Sequence, residues 1–190
     1  MPYRLVPLGG RHRLEDFECG EDSLDRYLRN EARRAQRSGE SQTHVWEAHD
    51  GESVGAYFTI APAVVSGRDV AHKRRPTEQF PVLLLAKLAL CTDLRGQRLG
   101  DQLILDVLGV ILQAANLVGG RFIIVDAQNN KVLQRYQDWD YTPIEGSYRL
   151  WMKVQTARVA LESSAETGAV PVVEVAEQGS PDGVGDPGER

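Results

Sequence analysis

The residues best placed to do chemistry lie at the turn Arg95-Gly96-Gln97-Arg98-Leu99-Gly100, between an apolar run and a long amphipathic stretch. Backbone N–H groups at a helix start, backed by the positive end of the helix dipole, attract anions. Gly96 and Gly100 allow close approach of a phosphate, and Arg95 and Arg98 add charge. An ordinary strand-to-helix turn would show the same glycines. The dinucleotide pattern GxGxxG and the P-loop pattern GxxxxGK are both absent here. A second feature is basic: Arg26, Arg29, Arg33 and Arg37 recur at spacings of 3, 4 and 4, one stripe of a helix. With Lys73-Arg74-Arg75 it could follow a phosphate backbone, or it could be a solvated face. A third is Tyr136, which Val132 and Leu133 one turn earlier would by themselves assign to core packing. His44, His49 and His72 have no metal-ligand spacing.

The elements that must hold these residues alternate between strand and helix patterns. Arg4–Leu8 reads as a strand, followed by a helix N-capped by Asp22 or Ser23 and stopped at Ser38-Gly39. Thr43–Ala48 and Ser53–Ile60 form a hairpin about Asp50-Gly51. After a loop over Val65–Gln79 come a strand at Val82–Thr92, a helix at Leu99–Leu117 and a strand at Arg121–Asp126. A short helix at Asn130–Asp138 and a strand near Tyr148–Val154 follow. The order predicts a mixed α/β domain over 1–156.

Composition sets the frame. The chain has 190 residues, 42% of them hydrophobic, enough for one domain with a core. No run approaches the roughly 20 apolar residues of a membrane span, and the opening MPYRLVPLGGRHR lacks the core of a signal peptide. Two cysteines make no disulfide framework, which fits a reducing cytoplasm. The net charge of −5 is local: seven acids against two bases in 155–190 leave twenty of each in 1–154. Residues 157–190, ending GSPDGVGDPGER, read as a flexible acidic tail with room for a short helical continuation around Ala157–Leu161, the tail being either solvated or a mimic of a polyanion.

The turn resembles motif A of the GNAT N-acetyltransferases, Q/R-x-x-G-x-G/A, with Arg98 where the motif has its middle glycine. Asn129-Asn130-Lys131-Val132-Leu133-Gln134-Arg135-Tyr136 is similar to their second signature, N-x-x-A-x-x-h-Y; Asp140-Tyr141 replaces its Gly-Phe. The resemblance implies the GNAT fold, a mainly antiparallel sheet flanked by helices. It also implies acetyl-CoA as acyl donor, held by Arg95, Gly96, Gln97, Arg98, Leu99, Gly100, Asp101 and Asn129, with pantetheine along Leu88, Ala89 and Leu90. It places Tyr136 beside the sulfur. There a phenol with a pKa of about 10 can protonate a departing thiolate of about 8.5, with Tyr57 as the weaker candidate.

Phe17-Glu18-Cys19-Gly20, Leu24-Asp25-Arg26-Tyr27-Leu28 and Pro81–Ala89 resemble the GNAT toxins of bacterial toxin–antitoxin pairs, so the likeness spans about residues 5–154. That resemblance implies acetylation of the α-amino group of aminoacyl-tRNA and a ribbon-helix-helix antitoxin as partner. It would put Arg29, Arg33, Arg37, Lys73, Arg74 and Arg75 against the tRNA. No carboxylate precedes Leu90 on its strand, which suits an α-amine, often neutral already, better than a lysine. Three alternatives stay open: acetylation of a small amine, peptide or protein; a degenerate acyl-CoA-binding module; and, for assembly, a homodimer.

Overall fold

The computed structural model describes residues 3–166. The chain runs β1 (Tyr3–Pro7), α1 (Asp22–Asn30), α2 (Ala32–Arg37), β2 (Gln42–Ala48), β3 (Val54–Ser66) and β4 (Gln79–Leu90). After a 3-10 turn at Thr92–Leu94 come α3 (Leu99–Val118), β5 (Phe122–Asp126), α4 (Asn130–Gln137), β6 (Thr142–Pro143), β7 (Arg149–Lys153) and α5 (Val154–Glu166). The strands form one sheet in the order β1-β2-β3-β4-β5-β7-β6. All neighbours are antiparallel except β4 and β5. This is the mixed, mainly antiparallel architecture expected.

Side-chain alternation divides the interior into three cores. On one face α3 buries Leu103, Ile104, Val107, Leu108 and Ile111 against Phe58, Leu85, Ile123 and Val125. The other face carries two smaller cores. One joins Leu14, Phe17 and Leu28 to Tyr57 and Ala89 under α1 and α2. The other joins Val65 and Val70 to Phe80, Phe122 and Ile124 under the β3–β4 loop.

Several expectations change. Glu21 occupies the N-cap of α1 without a side-chain bond, so Asp22 falls in the first turn, where its charge suits the helix dipole. The single helix expected to Arg37 breaks at Glu31, whose φ is −117°. β3 runs on to Ser66 because it pairs with β4 along its whole length. The core extends past residue 156: Ala157 is fully buried in α5, Leu161 packs against the main core, and Arg158 donates to Asn116 at 2.9 Å. The tail proposed from sequence lies, from 167 on, outside the described residues. α3 is long and apolar enough to cross a membrane by composition, yet Leu103, Ile104, Leu105, Val107, Leu108, Ile111 and Leu112 are buried within the fold.

Candidate active site

β4 and β5 pair over only three positions, Leu83↔Ile123 to Leu85↔Val125, and then part. The cause sits on the opposite edge of β4. Thr59 opposes Lys87 and Ile60 opposes Leu85, so Ala86 is an extra residue, a β-bulge that bends the strand. β4 still follows β3 to Ala56↔Leu90, so its edge over 86–90 faces a wedge rather than another strand. A cavity of about 880 Å³ fills this wedge. It is lined by Leu88, Ala89 and Leu90 on one side and by Asp126, Ala127 and Gln128 on the other. The lining reaches α3 and α4 on one face of the sheet, and Cys19, Glu21 and Leu24 on the other. The cavity therefore passes through the sheet.

At one end lies the turn before α3. Gly96 (φ 78°) and Arg98 (φ 59°, ψ 13°) are both left-handed, and no side chain caps the helix. Gly96, Arg98, Leu99, Gly100 and Asp101 all line the cavity. An anion there would meet uncapped N–H groups. Arg98 does adopt the conformation for which the motif has glycine, at about 1–2 kcal/mol for an L-residue. Asp140, the other replaced glycine, is likewise left-handed at φ 61°.

Not every residue assigned to the coenzyme sits there. Arg95 lines the cavity, but its guanidinium donates to the Cys19 carbonyl. Gln97 lies outside the lining and donates to the Asp93 carbonyl at 3.0 Å. Asn129, also outside, caps α4, its Oδ1 accepting from the Val132 N–H at 3.0 Å. Two cations that the sequence reading passed over do line the cavity. Lys131 and Arg135, one turn apart on α4, both line the cavity. Arg135 pairs with Asp101 at 2.8 Å and lies so close over α3 that a Cβ on Gly100 would come within 3.0 Å of it. Their i, i+4 spacing before Tyr136 was the available signal.

Tyr136 lines the same cavity from the last turn of α4 and is 7% exposed. Left-handed Asp140 turns the chain back after α4, and Tyr141 packs edge-on at 5.4 Å. Burial pushes the Tyr136 phenol up to about 12; Arg135 pulls it down slightly and Asp126 adds to the rise. The phenol is thus held in its acid form. Tyr57 is closed off. It is outside the lining, its hydroxyl donates to the Leu24 carbonyl at 2.8 Å, and burial raises its pKa as well. Burial, with Asp25 beside it, likewise pushes the Cys19 thiol up to about 12, so it is no ready nucleophile.

The arginine stripe is divided by tertiary contacts. Arg29 donates to the carbonyls of Leu14 and Phe17, and Arg33 to those of Gly9, Gly10 and His12. Both hold the segment before α1, with Arg29 still exposed and Arg33 half-buried. Arg26 and Arg37 remain exposed. In the β3–β4 loop Arg75 pairs with Glu78 at 3.1 Å, while Lys73 and Arg74 are exposed and make no ion pair among the described residues. That loop covers the face opposite α3, where His72 stacks on Phe80.

No family model matches the chain. A tRNA-acetylating toxin of Mycobacterium tuberculosis is 36% identical over 130 residues, 67% of this chain and 77% of that protein. Among solved structures, AtaT complexed with acetyl-methionyl-tRNA superposes with a TM-score of 0.75 at 21% identity, over 83% of this chain and 98% of that one. A mutant AtaT toxin bound to the C-terminus of the antitoxin AtaR and acetyl-CoA gives 0.73 at 21% identity, over 84% and 98%. At that identity the likeness to both structures is one of fold.

Proposed function

The chain belongs to the tRNA-acetylating toxins, N-acetyltransferases of the GNAT fold, and from that premise we propose that it moves an acetyl group from acetyl-CoA to the α-amino group of aminoacyl-tRNA, blocking translation. One observation carries this reading. A single cavity joins an uncapped helix N-terminus to a buried, protonated phenol through the parted strands β4 and β5.

The residues present fit acetyl-CoA. The first-turn amides of α3 with Arg98, Lys131 and Arg135 suit its phosphates. The open edge of β4 at Leu88–Leu90 suits the two amides of the pantetheine arm, as a strand edge accepts an added strand. Bound acetyl-CoA supplies the activated acyl group. The chain's own part is to orient and to donate. Main-chain N–H groups on the β5 side of β4 are placed to donate hydrogen bonds to the acyl oxygen as negative charge develops on it. Tyr136 holds a proton ready for the departing sulfur, and its raised pKa keeps that proton in place at neutral pH.

The acceptor enters from the other face, beside α1 and the β3–β4 loop, where Lys73 and Arg74 can follow a phosphate backbone. We place the reaction in the cytoplasm, where tRNA is charged, with an antitoxin as the restraining partner, as AtaR is for AtaT. The test is incubation with radiolabelled acetyl-CoA and total charged tRNA. Label should appear on the aminoacyl group and should leave with it on mild base. Label on protein lysines alone would overturn the tRNA assignment.

A further inference from the structure

On the face opposite α3, the cavity is lined by Cys19, Glu21 and Leu24, and Asp126 reaches it from β5. Asp126 is the first residue of β5 beyond its last pair with β4, since Leu85↔Val125 closes the ladder. Alternation sends Ile123 and Val125 towards α3, and Phe122, Ile124 and therefore Asp126 to the other side. Asp126 lines the cavity there, with Glu21 and Leu24 across the gap and Lys87 on the neighbouring strand. The Lys87 ammonium is drawn aside over the Tyr27 ring, 5.2 Å from its centroid.

The Asp126 carboxylate is held in one orientation. Arg149, its register partner on β7, reaches it with two hydrogen bonds, Nε to Oδ1 at 2.7 Å and Nη2 to Oδ2 at 2.8 Å. Asp69 of the β3–β4 loop adds a further attraction on Arg149. The pair is not a core clamp, because its side chains are 45% and 47% exposed; such a pair contributes about 0–1 kcal/mol to stability. A carboxylate has about four lone-pair directions, and the guanidinium fork occupies two. The remaining ones are available to the cavity.

We propose that Asp126, positioned by Arg149, is the subsite that binds and orients the acceptor's primary amine on the far side of the sheet from the coenzyme. Resting on the acetyltransferase reading above, it adds the group that favours an amine over a bare carbon at that position. The carboxylate accepts an amine N–H and points the nitrogen lone pair through the wedge towards the acyl group. This role answers the lack of any acid on β4, because the carboxylate comes from the opposite lip of the wedge.

The experiment measures binding, not turnover, so it stands apart from whether tRNA becomes labelled. Coenzyme A-saturated protein is titrated with adenosine carrying glycine, alanine or methionine through a stable 3′-amide, and with the matching α-desamino compounds. Wild type should prefer the amines on the order of ten-fold, the worth of one charge-assisted hydrogen bond. Asp126→Asn should lose the preference while binding the desamino compounds and coenzyme A as before; Arg149→Met should lose part of it. A wild-type ratio near one overturns the proposal, with no variant needed. So does an undiminished preference in Asp126→Asn.

Discussion

Replacing Tyr136 by phenylalanine removes one oxygen from a site whose energetics the structure defines. The phenol is 7% exposed, and the described residues make no hydrogen bond to its oxygen. Its ring packing on Tyr141 needs no hydroxyl. The variant should therefore melt within about 1 kcal/mol of wild type. Activity should fall far more. A rise from 10 to about 12 favours the neutral phenol by roughly 3 kcal/mol, at 1.36 kcal/mol per pKa unit. At pH 8 only about one site in ten thousand would be ionised, so nearly every enzyme molecule carries the acid. General acid catalysis is worth about 10²–10⁴-fold, and kcat should drop by that factor. The assay is initial-rate transfer from acetyl-CoA to an adenosine acceptor carrying its amino acid through a base-stable 3′-amide, between pH 6.5 and 10, with calorimetry for coenzyme affinity. Wild-type kcat/KM should rise as the acceptor amine loses its proton near its reference range of about 7.7–8.0, then stay level to pH 10. A loss under ten-fold in Tyr136→Phe, or a wild-type decline well below pH 10, would refute the acid role.

Three other outcomes follow from the same geometry. Tyr57, Tyr136 and Tyr141 all have pKa values raised chiefly by burial, so the folded state holds protons that the unfolded chain releases above pH 10. Stability is intact below that pH and should fall above it, approaching about 4 kcal/mol per pH unit when all three take part; urea midpoints from pH 8 to 11 measure this, and a constant midpoint would contradict it. Asp106 accepts from Trp46 Nε1 at 2.7 Å and from Gln102 at 3.1 Å inside the core. Asp106→Ala strands both donors and should cost about 2–4 kcal/mol, read by urea melts together with tryptophan fluorescence; a loss under 1 kcal/mol would show that they find other partners. Arg135→Ala should weaken acetyl-CoA binding several-fold at low ionic strength and less at high salt, as an exposed cation does; calorimetry at two salt concentrations checks it, and equal losses at both would point to packing instead.

Much of the fold was legible because its signals are local. Apolar Phe122–Val125 reads as a buried strand from four consecutive positions, and the apolar spacing along Leu99–Leu117 reads as a helix without any partner in view. The anion turn and Tyr136 were legible in the same way, since each motif lies within one stretch of chain. The short β6 was not, because a two-residue strand has no periodicity and exists only by pairing with β7. Nor was the end of the domain, since α5 is held by packing on α3 more than by its own pattern.

What the sequence by itself determined, then, is the order of elements, the turn that can grip an anion and the tyrosine that can supply a proton. The tertiary structure alone decided which of these face one another. The bulge at Ala86 and the three-residue pairing of β4 with β5 are properties of register between segments far apart in the chain, Thr59 with Lys87 and Leu83 with Ile123, and register opens the cavity. The same long-range docking gave Arg29 and Arg33 carbonyl partners in the segment before α1, and brought Lys131, Arg135 and Asp126 to the cavity. A side chain's type is written in the chain; its partner depends on which backbone packs against it, and no single segment specifies that contact.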